Sequence, residues 1–329
     1  MNKKKFILIS FLALIASLLY MVVWLYTYKD QIIGNLNDPY IKNAIIKIFV
    51  ERSYKLLAIL ISAILIATSS LIFQTITNNR ILTPSVLGFD SIYVVTQTLL
   101  IVILGAASSL VTNENYNFII SIAAMIFVTL LMYSLILKKN KNNIILLLLV
   151  GMIISQLSRS ISSFIQIYMK PDDFQSVMAL TNVNLNNISI NLITISIPIM
   201  IIIFILMLKN NKYYDVMALG EDVAINLGVN YQKKVKLSLI YIAIAVAIST
   251  ALIGPLTFLG LIAVNSAREI FKTNKHFNLI FASSLMAIIF IMFGQVIVEL
   301  LNHTTTVSIL INLVGGAYMI YLILRENKI

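Results

Sequence analysis

The sequence of 329 residues contains no cysteine and only two histidines, His276 and His303. The absence of cysteine excludes disulfides, thiolate chemistry and the cysteine ligands of zinc and iron–sulfur sites. The two histidines lie in separate predicted loops, and neither belongs to a spacing that forms a metal site. We therefore expect no resident metal centre and no cofactor.

Charged residues are also scarce. Only 11% of the residues are charged and 60% are hydrophobic, whereas a soluble domain carries about 25% charged residues. The net charge of +11 does not indicate nucleic-acid binding, because the basic residues lie in short loops between apolar runs. A water-soluble fold cannot bury this much apolar surface. The composition therefore predicts a single membrane domain over residues 1–329.

Catalytic motifs are missing as well. The adjacent carboxylates are Asp172-Asp173 and Glu221-Asp222, and both pairs lie outside the predicted membrane spans. The sequence contains no P-loop and no Gly-Lys dipeptide, so it cannot hold nucleotide phosphates in such a loop. We therefore expect that the chain is not an enzyme.

Ten apolar runs predict an all-α polytopic membrane protein with ten transmembrane helices. An even number of spans places both termini on one side of the membrane. Most of the 24 lysines and arginines then lie on the side of the termini, which indicates that both termini are cytoplasmic. We expect a multi-pass protein of the cytoplasmic (inner) membrane, with spans at residues 6–27, 54–76, 86–107, 117–137, 144–168, 188–208, 237–253, 256–271, 277–300 and 307–324.

Two segments between predicted spans are long. Residues 27–53 are predicted to lie outside, and the apolar residues of Tyr40–Ser53 recur at helical spacing, which favours a helix along the membrane surface. Residues 209–236 are predicted to be cytoplasmic. They contain a short predicted helix, Ala218–Leu227, which Gly228 would end. A cytoplasmic helix between two spans is a natural docking element for a partner.

Polar side chains inside predicted spans indicate a functional face. Polar groups at membrane depth face a bundle interior or a water-filled cavity. Two alternatives stay open: the serines could serve close helix packing, and Arg159 could form a structural ion pair with Asp90 or Glu299. On the fifth span, the polar residues that follow one side of a helix are Ser155, Arg159, Ser162 and Gln166. On the second span, a further polar pair consists of Ser70 and Gln74.

Four stretches together resemble the FecCD family of permeases. They are FQTITNNRILTPSVLGFDS (73–91), VMALGEDVAINLGVN (216–230), GPLTFLGLIAVNSARE (254–269), and GQVIVE (294–299) with INLVGGAYMIYLIL (311–324). The family usually has Pro-His where this chain has Val264-Asn265, a departure similar to the subgroup that imports catecholate-type siderophores. Asn79-Arg80 likewise replaces the Asn-Pro of the family.

The resemblance implies the permease subunit of a type II, vitamin B12 importer-like ABC importer that carries ferric siderophores. It implies a second permease, identical or paralogous, two cytoplasmic ATPase subunits and an external binding protein that delivers the ligand. The alternatives are a permease for vitamin B12 or haem, and a secondary transporter driven by an ion gradient. The last would favour discontinuous helices and internal repeats, but Gly254-Pro255 is the one clear helix interruption in the sequence.

The resemblance also suggests roles for particular residues. Arg52 and Glu299 lie near the sites where the family docks its binding protein. The translocation path is expected to include the polar residues of the second and fifth spans together with Asp90: Ser70, Gln74, Asp90, Ser155, Arg159, Ser162 and Gln166. The coupling segment is expected to contact the ATPase through an apolar ridge of Ala218, Leu219, Ala224 and Leu227. The residues assigned to this coupling role are those four together with Gly220, Glu221, Asp222 and Gly228.

Overall fold

The computed structural model describes residues 3–27, 29, 39–136, 144–183 and 188–326. This part of the chain is helical and contains no strand, which confirms the all-α prediction. A 3-10 helix covers Pro84–Leu87. The α-helices are α1 (Lys3–Thr27), α2 (Pro39–Ile76), α3 (Phe89–Leu104), α4 (Ser109–Thr112), α5 (Glu114–Ile136), α6 (Ile144–Ile167), α7 (Pro171–Thr181), α8 (Ile190–Lys209), α9 (Asn211–Met217), α10 (Glu221–Asn226), α11 (Tyr231–Ile253), α12 (Leu259–Phe271), α13 (His276–Leu300) and α14 (Val307–Glu326).

Within the described residues, eight helices are long and apolar enough to cross a membrane: α1, α2, α5, α6, α8, α11, α13 and α14. They coincide with eight of the ten predicted spans. The other two predicted spans coincide with α3, of 16 residues, and α12, of 13 residues. At about 1.5 Å per residue these helices reach roughly 24 and 20 Å, less than the ~30 Å hydrocarbon core. The count of ten spans and the side of the termini stay predictions.

The helix α2 corrects one expectation. Tyr40–Ser53 is helical, as its periodicity predicts, but it continues without a break into the second span as one helix of 38 residues. The physical reason is that no glycine or proline follows Pro39 within α2. The predicted apolar face packs inward, with the Phe49 ring 5.5 Å from the Trp24 ring of α1. No separate surface helix therefore forms over Tyr40–Ser53.

Of the eight long helices, three form the interior of the bundle. The most apolar windows of α2, α11 and α13 are 78%, 67% and 61% buried, whereas those of α1, α5, α6, α8 and α14 are at most 33% buried. The helix α2 packs directly against both α11 and α13. The outer helices leave large apolar side chains exposed, which is the surface expected of a protein solvated by lipid.

A tight turn before α3 sets the position of the candidate site. Gly88 follows the 3-10 helix with φ +88°, a left-handed conformation that favours glycine. A Cβ atom at this position would lie 3.1 Å from the Cβ of Ser155 in α6. The start of α3 can therefore approach the middle of α6 closely.

Candidate functional site

The polar residues predicted on the fifth span lie on α6, and they differ in how deeply they are buried. Ser155 and Ser162 are buried, Gln166 is half-buried and Arg159 is exposed. The Ser162 hydroxyl donates a hydrogen bond of 2.9 Å to the carbonyl of Ser158 in its own helix. The predicted stripe is therefore partly a packing surface.

Side chains of α3 bind three of these polar groups. The hydroxyl oxygens of Ser91 and Ser155 lie 2.9 Å apart, and Arg159 Nε donates to Ser91 Oγ at 2.9 Å. About two turns further along α6, Gln166 Nε2 donates to Thr98 Oγ1 at 3.0 Å. These bonds tie α6 to α3 and leave the rest of the guanidinium on the outer surface.

The structure gives Arg159 no salt bridge to a carboxylate of the described residues. Asp90 Oδ2 instead accepts a hydrogen bond of 2.8 Å from Thr257 Oγ1. Glu299 is paired with Arg52. Neither ion pair considered for Arg159 therefore forms in this conformation.

A second polar stripe lies on the outward side of α6. Gln156, Ser160 and Ser163 recur at i, i+4 and i+7, and all three are exposed beside Arg159. Their spacing equals that of the predicted stripe. The sequence periodicity could therefore have identified these three residues, although the prediction does not include them. Polar groups at membrane depth are costly when they face lipid. This face of α6, residues 156, 159, 160 and 163, is hereafter the outer polar face.

The second predicted pair lies deeper. Ser70 and Asp90 line one small cavity between α2, α3 and α11, and Asp90 precedes Ser91, which bonds to α6. Gln74 is only 2% exposed, and neither its amide nitrogen nor its amide oxygen has a hydrogen-bond partner in the described part of the chain. The structure thus connects Ser70 and Asp90 with the α6 contacts, whereas Gln74 lies enclosed one turn away.

The coupling segment folds into two short helices. The first is α9, and Gly220, with φ +105°, separates it from α10. The predicted helix over Ala218–Leu227 is therefore too long at its start, because the glycine conformation interrupts it. Glu221 and Asp222 occupy the first turn of α10, where negative charge is favourable. Gly228, with φ +81°, follows the end of α10, as predicted.

The apolar ridge differs from the predicted one. Ala224 is completely buried in the core, so its predicted place on an exposed ridge is wrong. The interruption at Gly220 changes which side of the segment faces inward. Ala218 is exposed, as predicted. The large exposed apolar residues are Leu219 at 61%, Val223 at 44%, Ile225 at 51% and Leu227 at 61%. These four residues are hereafter the exposed ridge.

The coupling segment is fixed to the bundle by Asp215 of α9. Its carboxylate oxygen Oδ1 accepts hydrogen bonds from the backbone nitrogen and the Nδ1 atom of His276, at 2.6 and 2.7 Å. The other ring nitrogen of His276 lies 2.7 Å from Thr75 Oγ1 near the end of α2. A chain of three side chains therefore links α9, the start of α13 and the end of α2.

The ionised form of Asp215 favours its contact with His276. Burial alone would raise the pKa of Asp215, but hydrogen bonds from His276 and nearby positive charge hold that pKa below its ordinary value. Burial raises the pKa of the neighbouring Tyr214 to about 12. At neutral pH the contact is therefore made by an ionised Asp215 beside a neutral Tyr214.

Arg52 and Glu299, predicted separately as docking residues, are brought together. Arg52 Nη2 lies 2.8 Å from Glu299 Oε2, and the two side chains are only 11% and 6% exposed. Arg52 Nη1 also donates to the carbonyl of Tyr20. The guanidinium carbon lies 5.0 Å from the ring centre of Tyr20 and 5.9 Å from that of Trp24. This cluster joins α1, α2 and α13.

Comparison with known proteins places the chain in a family. The model of the FecCD transport family matches residues 7–325. The chain belongs to the FecCD transport family. It is therefore a multi-pass membrane transport permease and not an enzyme, as the sequence predicts. In the described residues, no three His, Asp or Glu side chains form a group that could hold a metal ion.

Two curated relatives are similar over most of their length. The petrobactin import system permease protein YclO of Bacillus subtilis is 42% identical over 84% of this chain and 89% of that protein. The petrobactin import system permease protein FatC of Bacillus anthracis is 32% identical over 85% of this chain and 79% of that protein. A solved structure described as an inward-facing metal-chelate type ABC transporter shares the fold, with a TM-score of 0.79, 18% identity, and coverage of 98% of this chain and 99% of that one.

Proposed function

We propose that the chain is the permease subunit of an ATP-binding-cassette importer that moves a ferric siderophore of the petrobactin type across the cytoplasmic membrane. The observation that carries the proposal is the 42% identity to a petrobactin import permease over 84% of the chain. The subgroup also agrees with Val264-Asn265, the departure that the sequence shares with permeases for catecholate-type siderophores.

In this proposal the chain crosses the membrane ten times, and both termini are cytoplasmic. The two additional crossings are the shorter helices α3 and α12, which other helices flank. Residues 27–53 lie outside and residues 209–236 lie in the cytoplasm. The distribution of lysine and arginine supports this orientation.

A second permease subunit, identical or paralogous, covers the outer polar face of α6. A charge at the centre of a membrane helix costs about 2.5–3.5 kcal/mol on insertion scales, and Arg159 has no salt bridge within the described residues to offset this cost. A water-filled path between two permeases would hydrate the guanidinium. The positive charge would then attract an anionic ferric chelate.

One of the two ATPase subunits docks on the exposed ridge of each permease. The ridge gives a cytoplasmic segment an apolar surface that nothing in the described chain covers. The contact of Asp215 with His276, and of His276 with Thr75, connects this surface to α2 and α13. Closure of the ATPase pair would therefore move two interior helices directly.

An external binding protein delivers the chelate to the side of residues 27–53. Arg52 and Glu299 lie toward this side, at the predicted outer ends of their spans. In this conformation they bind each other. Docking through Arg52 would therefore have to replace an existing ion pair.

Growth on defined iron sources tests the proposal. A bacterial strain that lacks its own petrobactin permease, but keeps the binding protein and the ATPase, is supplied with this chain. We expect restored growth on ferric petrobactin and not on vitamin B12 as the limiting nutrient. Growth on B12 or haem without growth on any ferric siderophore would contradict the proposed substrate.

A further inference from the structure

A small polar cavity lies inside the bundle, where α2, the 3-10 helix, α3 and the end of α11 meet. Its volume of about 10 Å³ is close to the volume of about 10–15 Å³ that one water-sized occupant needs. The cavity can therefore hold one small ligand and nothing of the size of a chelate. Its polar lining consists of one carboxylate and five hydroxyl groups, those of Asp90, Ser69, Ser70, Ser85, Thr250 and Thr257.

The carboxylate of Asp90 brings a charge that no salt bridge balances among the residues that the structure describes. Arg159 donates to the neighbouring Ser91 instead. Asp90 lies in the first turn of α3, where the helix end contributes about half a positive charge. That contribution favours the ionised carboxylate but offsets only part of its charge. A cation in the cavity would offset the rest.

The hydroxyl groups are oriented to accept rather than to donate. Ser69 Oγ donates its proton to the carbonyl of Ile66 at 3.0 Å, and Thr257 Oγ1 donates its proton to Asp90 Oδ2 at 2.8 Å. A hydroxyl has one proton and two lone pairs, so both oxygens can offer only lone pairs to a ligand in the cavity. A proton on Asp90 would satisfy one acceptor at a time, whereas a bound cation interacts with several oxygens at once.

The interruption between α11 and α12 supports a cation site. The helix α11 ends at Ile253, and Gly254 turns the chain with φ +91°. The carboxyl end of α11, with about half a negative charge, reaches the cavity at Thr250, and Thr257 belongs to the non-helical segment that follows. In membrane transporters, the carboxyl ends of interrupted helices and the unwound backbone beside them coordinate sodium ions.

We propose that this cavity binds one sodium ion, with the Asp90 carboxylate as the anionic ligand and the serine and threonine hydroxyls as neutral ligands. One carboxylate matches one monovalent cation, whereas a divalent ion would retain an excess charge. The small volume favours sodium over the larger potassium ion.

The proposed site differs from the metal centres that the sequence argues against. Its ligands are carboxylate and hydroxyl oxygens, so the lack of cysteine and the separation of the two histidines do not exclude it. The ion would be a resident ligand that ties α2, α3 and α11 together, and its gradient would not drive transport. The inference is independent of which chelate the permease carries.

Thermal unfolding of the purified full-length chain in neutral detergent tests the inference. Sodium chloride replaces choline chloride stepwise at constant ionic strength, and potassium chloride is titrated in the same way. We expect a saturable rise of the unfolding midpoint with sodium and a smaller rise with potassium. Equal midpoints in sodium and choline would overturn the proposal, and an equal response to potassium would overturn the assignment to sodium. Stabilisation by a lower pH without any response to sodium would identify a protonated Asp90 and would also overturn it.

Variants locate the site. Asp90→Asn removes the charge at nearly constant size and should abolish the response to sodium. Thr257→Val removes one hydroxyl ligand and should raise the sodium concentration of the half-maximal response about tenfold, whereas Thr257→Ser should keep the wild-type response. This second pair keeps the test valid if Asp90→Asn does not fold. The control is Asp172→Asn, which neutralises an exposed carboxylate at the start of α7. A sodium response of Asp90→Asn or of Thr257→Val equal to that of Asp172→Asn would overturn the proposal.

Discussion

The ion pair between Arg52 and Glu299 allows the sharpest prediction. Its two side chains are 11% and 6% exposed, and the pair joins residues 247 positions apart. Removing one partner of a buried pair leaves an uncompensated charge and costs about 3–5 kcal/mol. An exposed pair is worth only about 0.2–1 kcal/mol. Because both side chains are largely buried, Glu299→Leu and Arg52→Met should each lower the free energy of unfolding by about 3 kcal/mol or more.

A double variant and a matched control sharpen the prediction. Replacing both partners by apolar groups removes the uncompensated charge, so Arg52→Met with Glu299→Leu should be more stable than either single variant. The control is Glu269→Leu, which breaks the pair with Arg325. That pair has the same 2.8 Å distance, but its side chains are 56% and 45% exposed. Its loss should cost less than about 1 kcal/mol.

Thermal unfolding in detergent measures these effects. We expect the unfolding midpoint of each single variant to fall by about 5 °C or more, the double variant to recover most of that loss, and Glu269→Leu to remain near the wild type. The opposite pattern would refute this reasoning: unchanged midpoints for the single variants, together with weaker affinity for the external binding protein, would identify Arg52 as a docking group.

Three further predictions follow from the structure. Leu219→Glu, on the exposed ridge, should uncouple ATP hydrolysis from uptake while the protein still inserts, whereas Lys212→Glu on the same cytoplasmic segment should transport normally. Arg159→Gln should lower the uptake rate of a ferric chelate at unchanged abundance, and Arg159→Lys should retain more activity because it keeps the charge. Gly260→Ala should destabilise the bundle by about 1–3 kcal/mol, because its Cβ would lie 2.6 Å from the Cβ of Ser70. Adding Ser70→Gly should restore part of the thermal stability.

The sequence predicts the helices well because lipid imposes a simple rule. Each span must satisfy its backbone groups internally and carry an apolar surface, so long uncharged runs correspond closely to helices. Gly228 likewise follows the end of α10, because its conformation is a local property. The four stretches that resemble the FecCD family are confirmed by a match over residues 7–325.

Contacts between distant elements were not predictable in the same way. The pairing of Arg52 with Glu299 depends on how α2 packs against α13, and no local pattern encodes it. Ala224 was misplaced because helical periodicity was extended through Gly220, whose backbone conformation interrupts the helix. On α6, periodicity identifies polar positions, but the packing of α3 decides that Ser155 is buried and that Ser160 is exposed.

Uptake by reconstituted proteoliposomes tests the central claim most directly. The vesicles contain this chain with its second permease and ATPase subunits, and the external binding protein is added with radioactively labelled ferric petrobactin. We predict accumulation that requires ATP hydrolysis and continues after ionophores abolish every ion gradient. Accumulation driven by an imposed ion gradient without ATP would contradict the assignment as the permease of an ATP-driven ferric-siderophore importer.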